Sequence, residues 1–157
     1  MKKDKEIIKK NKELCKEYPF LKPRNRWTGK LVEDYDYSYT ELDDMPLGWR
    51  IAFGEKLLKE LKVALGDHLN KYRIVQIKEK YGYLRWYDFG HTEEAYEVIS
   101  KYSKLSETTC IVCGKPATKI TRGWISPYCD EHFPKNETNW YDIKESNIVY
   151  DDEEDGE

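Results

Sequence analysis

A chain of 157 residues suits one compact domain with at most a small appended module. It is 36% charged and 39% hydrophobic, and no apolar run approaches the roughly 18 residues a membrane span needs. The basic N-terminus lacks the apolar stretch of a signal peptide, so the expectation is a cytoplasmic protein with no membrane partner.

The apolar share is low, but 13 tyrosines and five tryptophans bury large areas each and can close a modest core. Net charge is −3 and uneven. Residues 1–16 hold seven lysines against Asp4, Glu6 and Glu13, and residues 142–157 hold eight acids against Lys144.

Residues 3–17 are predicted to form a helix with a thin apolar stripe of Ile7, Ile8, Leu14 and Cys15, ended by Pro19 and Pro23. Cys15 has no recognisable histidine partner in sequence and reads as packing. Residues 18–47 show no clean period; they carry Arg24, Arg26 and Trp27, then the acidic run Glu33-Asp34-Tyr35-Asp36-Tyr37. A structureless loop of that length is unusual, so an ordered loop that packs its aromatics is expected.

From about Leu47 to Leu65 the helical period is strong. Trp49, Phe53, Leu57, Leu58, Leu61, Ala64 and Leu65 share one face, and Gly66 follows as a C-terminal stop. Residues 72–88 read as a β-hairpin turning at Tyr81-Gly82. Thr92 can cap a third helix, with Glu93 and Glu94 favouring its dipole and Ala95, Val98, Ile99, Tyr102 and Leu105 on its buried face.

The strongest motif follows at 109–133: Cys110-x2-Cys113 and, after fifteen residues, Cys129-x2-His132. Two residues between ligands let a tight turn present both to one ion, and the longer spacer leaves room for a short hairpin, Thr118–Thr121 and Trp124–Tyr128. Four ligands make a closed tetrahedral site, which predicts one structural Zn2+ rather than a catalytic ion with an open position. A metal pattern in a reducing compartment also outweighs two disulfides. Nucleic acid is a possible partner of such a module through Lys115, Lys119 and Arg122, although Asp130 and Glu131 lie between the last two ligands. The tail that ends in Asp151-Asp152-Glu153-Glu154-Asp155-Gly156-Glu157 is expected to be disordered and solvated.

With a two-residue turn the hairpin places Lys80 opposite Tyr83, Lys78 opposite Arg85 and Gln76 opposite Tyr87 on one face. Val75, Ile77, Leu84 and Trp86 make the core face. Two cations directly across from each other are destabilising unless something answers them. A partner's carboxylates, a phosphate or a small anionic nucleotide would do so, since arginine's planar fork suits each. The alternative is internal pairing with Glu33, Asp34, Asp36, Glu41, Asp43 or Asp44.

Enzyme readings are disfavoured. No Gly-rich phosphate loop or nucleophile elbow is present. Glu79 is followed at once by Lys80, so the Glu-x-Lys spacing of one common nuclease core fails. His68 and His91 read as surface or capping residues.

From Gly48-Trp49 to His132 the chain resembles a family of small, largely uncharacterised proteins of bacteriophages and prophages. The residues that carry this are Gly48-Trp49, then Ile77-Lys78-Glu79-Lys80-Tyr81-Gly82-Tyr83-Leu84-Arg85-Trp86-Tyr87. Thr109-Cys110-Ile111-Val112-Cys113-Gly114, Gly123-Trp124-Ile125 and Cys129-Asp130-Glu131-His132 complete the set. The resemblance implies the zinc quartet, host-cell cytoplasm and an accessory role in which a host or anti-phage defence protein is the partner. The expected fold is α+β: helices packed on a hairpin over 1–108, a zinc knuckle of ribbon or treble-clef kind over 109–141, and the acidic tail over 142–157.

Overall fold

The strongest helical period becomes the centre of the molecule. In the computed structural model, which describes residues 2–143, α1 (Lys2–Glu17) leads through 3-10 turns at Pro19–Leu21 and Glu41–Asp44 to α2 (Leu47–Trp49). α2 continues through a π-turn, Arg50–Gly54, into α3 (Glu55–Leu65) without leaving helical dihedrals. Trp49, Leu57, Leu58 and Leu61 are fully buried, and Phe53 and Leu65 nearly so. An uninterrupted α-helix was the expectation; one widened turn admits an extra residue instead. It lets Gly48 and Trp49 hydrogen-bond to 109–111 while 57–65 keeps phase with the core.

The segment before this helix is ordered by its aromatics, as its length required. Tyr18, Phe20, Leu21, Leu42 and Met45 are buried, and Phe20 meets Tyr72 edge-on at 5.2 Å between ring centroids. The Tyr35 ring meets Tyr37 at a tilt and Tyr39 edge-on, and Asn11 ties the run to α1 by donating to the Tyr37 carbonyl at 2.8 Å. Cys15 is buried in this packing, its sulfur 3.9 Å from the Tyr35 hydroxyl.

β1 (Arg73–Lys80) and β2 (Tyr83–Phe89) form the hairpin. Tyr81 and Gly82 have φ of 56° and 85°, the left-handed pair that a two-residue turn matching strand twist requires. The register Lys80↔Tyr83, Lys78↔Arg85, Gln76↔Tyr87 and Ile77↔Trp86 follows. One expectation is corrected. A β-bulge between Ile74 and Gln76 makes Val75 an extra residue, so Val75 is only half-buried and Ile74 takes its place in the core. An inserted residue inverts the alternation beyond it, which turns Arg73 to the outer face opposite Phe89.

α4 (Glu93–Ser106) packs across β2, capped by Thr92, whose hydroxyl accepts from the Ala95 amide and donates to the Ala64 carbonyl. Ala95, Ile99 and Tyr102 are buried, but Leu105 is exposed. Ser106 is buried there instead, because its hydroxyl accepts from the Leu84 amide at 2.8 Å and so satisfies a strand donor that a leucine could not.

A second antiparallel sheet, order β4-β3-β5, follows: β3 (Lys119–Thr121), β4 (Pro127–Tyr128) and β5 (Trp140–Asp142). The strand expected over Trp124–Tyr128 is reduced to its last two residues. The Thr121 hydroxyl bonds the Trp124 carbonyl and the Ser126 amide and so holds 122–126 as a loop. The C-terminal segment lies directly on the rest: a Cβ on Gly48 would sit 2.2 Å from the Cys110 carbonyl oxygen, and one on Gly82 2.7 Å from Ile125 Cγ2. Among the described residues no helix is long and apolar enough to cross a membrane. The expected disordered tail lies, from residue 144 on, outside them.

Candidate functional site

Cys110, Cys113, Cys129 and His132 converge. The first pair rides a turn in which the Gly114 amide donates to the Cys110 carbonyl at 3.0 Å and the Cys110 amide to the Lys115 carbonyl at 2.7 Å. Gly114 has φ 86°, and a Cβ there would sit 2.6 Å from the Gly48 carbonyl oxygen, so turn geometry and docking both require glycine. The second pair follows β4 in a turn closed by the His132 amide on the Cys129 carbonyl at 3.2 Å.

All four ligand atoms lie within 4.8 Å of one another. Cys113 and Cys129 Sγ are 3.7 Å apart, and Cys129 Sγ is 3.2 Å from His132 Nδ1. A tetrahedral ion with sulfur ligands at about 2.3 Å separates them by about 3.8 Å, whereas a disulfide needs about 2.0 Å. The thiols are free and spaced as metal ligands, so the cluster could hold a metal ion through three sulfurs and Nδ1. Burial raises the Cys110 thiol, but the backbone amides of Cys129, Cys113 and Val112 outweigh it and bring the pKa down to about 7. A site that stabilises a thiolate before any ion arrives is what a thiolate-binding metal needs.

The cations beside this cluster are answered locally. Lys119 Nζ bonds Asp130 Oδ1 at 2.9 Å, and Lys115 Nζ lies 3.7 Å from Glu131 Oε1.

The outer face of the hairpin differs. Among the described residues no carboxylate lies within ion-pair distance of Lys78, Lys80 or Arg85. The acidic loop is engaged elsewhere: Asp43 with Arg50, Asp36 with the Ser38 amide, and Glu41 beside Arg24 and Arg26. The Arg85 guanidinium stacks on Tyr83 at 4.4 Å, and its Nε is buried without a hydrogen-bond partner. Lys78 hovers 6.0 Å from the Tyr87 ring, and Gln76 is half-buried beside them. The bulge adds Arg73, whose guanidinium lies 4.6 Å from the Phe89 ring. Sequence reasoning missed this fourth pair because nothing in Arg73-Ile74-Val75-Gln76 marks a bulge; a glycine would have.

His91 Nδ1 contacts Asp88 Oδ1 at 2.9 Å, and the other Asp88 oxygen accepts from the Tyr72 hydroxyl, which in turn accepts from Trp86 Nε1. No serine, threonine or cysteine side chain hydrogen-bonds to His91 among the described residues, and the array joins β2 to Tyr72 and to the loop before α4. His68 is exposed in the 3-10 turn Gly66–Lys71 that follows α3. None of the six hairpin residues Gln76, Lys78, Lys80, Tyr83, Arg85 and Tyr87 lines any of three cavities between the helices. Comparison with protein-family models, with curated proteins and with solved structures gives no match for this chain.

Proposed function

We propose that this is a non-catalytic, zinc-stabilised accessory protein of phage type that binds and neutralises a host or anti-phage defence protein through the outer face of its hairpin. The observation that carries the reading is the opposition of Lys78 and Arg85 with no carboxylate among the described residues within ion-pair distance of either. Two like charges held side by side cost stability, and a partner's carboxylates would recover it. The flanking tyrosines and arginine are side chains that dominate interface energetics. One Zn2+ held by Cys110, Cys113, Cys129 and His132 serves as the structural ion of a ribbon-like module over 109–141, and the body over 1–108 carries the binding face.

Two rival readings are weaker. Small anionic nucleotides bind in concave sites, and none of the six residues of this face lines the three cavities described above. Nucleic-acid binding by the metal module is less favoured, since two of its three cations, Lys115 and Lys119, are paired with acids and Arg122 lies against the Tyr141 ring.

The test is the double variant Lys78→Glu, Arg85→Glu. Binding to a protein captured from host cells is abolished, while zinc content and thermal stability are unchanged. If the variant unfolds, the pair is structural and the proposal falls.

A further inference from the structure

One side chain is displayed at unusual cost. Trp27 is 94% exposed, yet it sits on a loop whose backbone is closely hydrogen-bonded. The Asn25 amide donates to the Lys30 carbonyl and the Gly29 amide to the Asn25 carbonyl, each at 2.8 Å. Asn25 Oδ1 accepts from the amides of Trp27 and Thr28 at 2.8 and 3.0 Å. Arg24 Nη1 donates to the Gly29 carbonyl at 2.8 Å, and an antiparallel bridge joins Arg24 to Leu31. The loop is therefore fixed, and what it fixes is an indole in water. Folding gains nothing from that placement, whereas an indole carried on a backbone already ordered avoids the entropy cost of ordering the loop on binding.

We infer that Trp27 is a preorganised anchor that inserts into an apolar, acid-rimmed pocket on a protein partner, extending the outer face of the hairpin. This rests on the reading of that face given above. The loop joins the face directly: Gly29 lies under the Arg73 guanidinium, where a Cβ would meet Nη1 at 1.6 Å, and Arg73 stacks on the exposed Phe89. Between Tyr18 and Val32 the chain carries Lys22, Arg24, Arg26 and Lys30 and no acid. Glu41 and Asp44 lie near Arg26, and burial raises both carboxyls; among the described residues neither forms an ion pair with Lys22 or Lys30. Carboxylates around the receiving pocket complement the loop's charge. A single indole at a tip is not the succession of rings on which a nucleic-acid strand stacks, nor the broad apolar face that inserts into a lipid surface.

The experiment titrates the intact, metal-loaded chain with a peptide of Asp and Glu interspersed with leucine, and in parallel with oligothymidylate and with phosphatidylglycerol vesicles, following tryptophan emission. Expected is a blue shift with the peptide alone. Trp27→Ala should weaken it about tenfold or more, Trp27→Phe less, and neither should change thermal stability. If Lys78→Glu with Arg85→Glu abolishes peptide binding and Trp27→Ala leaves it intact, the anchor is refuted and the hairpin reading survives. If the peptide does not bind at all, both fall. Trp27-dependent binding of the oligonucleotide or the vesicles overturns the assignment to a protein partner.

Discussion

The helix–hairpin body and the C-terminal strands are held together by different forces. In the body, Trp49, Phe53, Leu57, Leu58, Leu61, Leu65, Ile74, Ile77 and Leu84 form one continuous apolar core. In the C-terminal segment the buried set is Thr109, Cys110, Ala117, Thr121, Ser126, Pro127, Cys129 and Ile143, mostly small or polar. Its strands are two or three residues long, too short to stand alone. The difference teaches where an ion is needed. A segment that cannot bury enough apolar surface must close its fold by other bonds, and the four converging side chains could supply them by holding a metal ion.

Removing the ion should break the comparison most visibly. Structural zinc contributes on the order of 10–16 kcal/mol of apparent binding energy in small finger peptides at neutral pH. A strong chelator is expected to abolish amide protection across 109–143 and leave it in 57–65, as hydrogen exchange would show. Equal protection before and after chelation would put the two regions on the same footing.

Leu61→Ala is the reciprocal experiment. Leu61 is fully buried, so the loss should be about 2–5 kcal/mol in urea unfolding, with metal stoichiometry in the folded fraction unchanged. The seam between the regions can be opened separately by Gly48→Ala. Its new methyl would meet the Cys110 carbonyl oxygen at 2.2 Å and Ile111 backbone at 2.5 Å. An expected cost of about 1–3 kcal/mol should come with faster exchange of the Gly48 amide, which now donates to the Ile111 carbonyl.

The smallest effect concerns pH in the acidic loop. Burial, then the neighbouring Asp44 charge, raise the Glu41 carboxyl from 4.5 to about 7. A raised folded-state pKa means that the fold favours the protonated acid. Its contribution is full below about 4.5 and is lost as pH rises through 7. Glu41→Gln should therefore stabilise the protein at pH 8, by about 1 kcal/mol once solvent screening at this half-exposed group is allowed for. At pH 4 it should gain nothing.

The metal ligands were legible because their chemistry is local: two short spacings and a glycine make each pair, and the chain needs only one long closure. The core helix was legible because seven apolar residues at helical spacing leave no other face to bury. The hairpin register followed from Tyr81-Gly82, a turn that accepts only a left-handed pair. The π-turn at Arg50–Gly54 had no such mark. It arises because Gly48 and Trp49 answer to the C-terminal segment while Leu57 to Leu65 answer to the body, and the sequence of one helix does not state that two neighbours pull on it.

By itself the sequence determined the α+β class, the helical span of 47–65, the two-residue hairpin turn and the four residues that converge as a possible metal cluster, since each depends on periodicity or spacing within a short stretch. Only the tertiary structure decided that Ile74 rather than Val75 enters the core and that Arg73 joins the outer face. It also decided that the acidic loop binds Arg50 instead of Lys78 or Arg85, and that Trp27 stands in solvent beside them. Each of these depends on which surfaces meet across the fold, and a strand's alternation can be inverted by one residue that no local propensity marks.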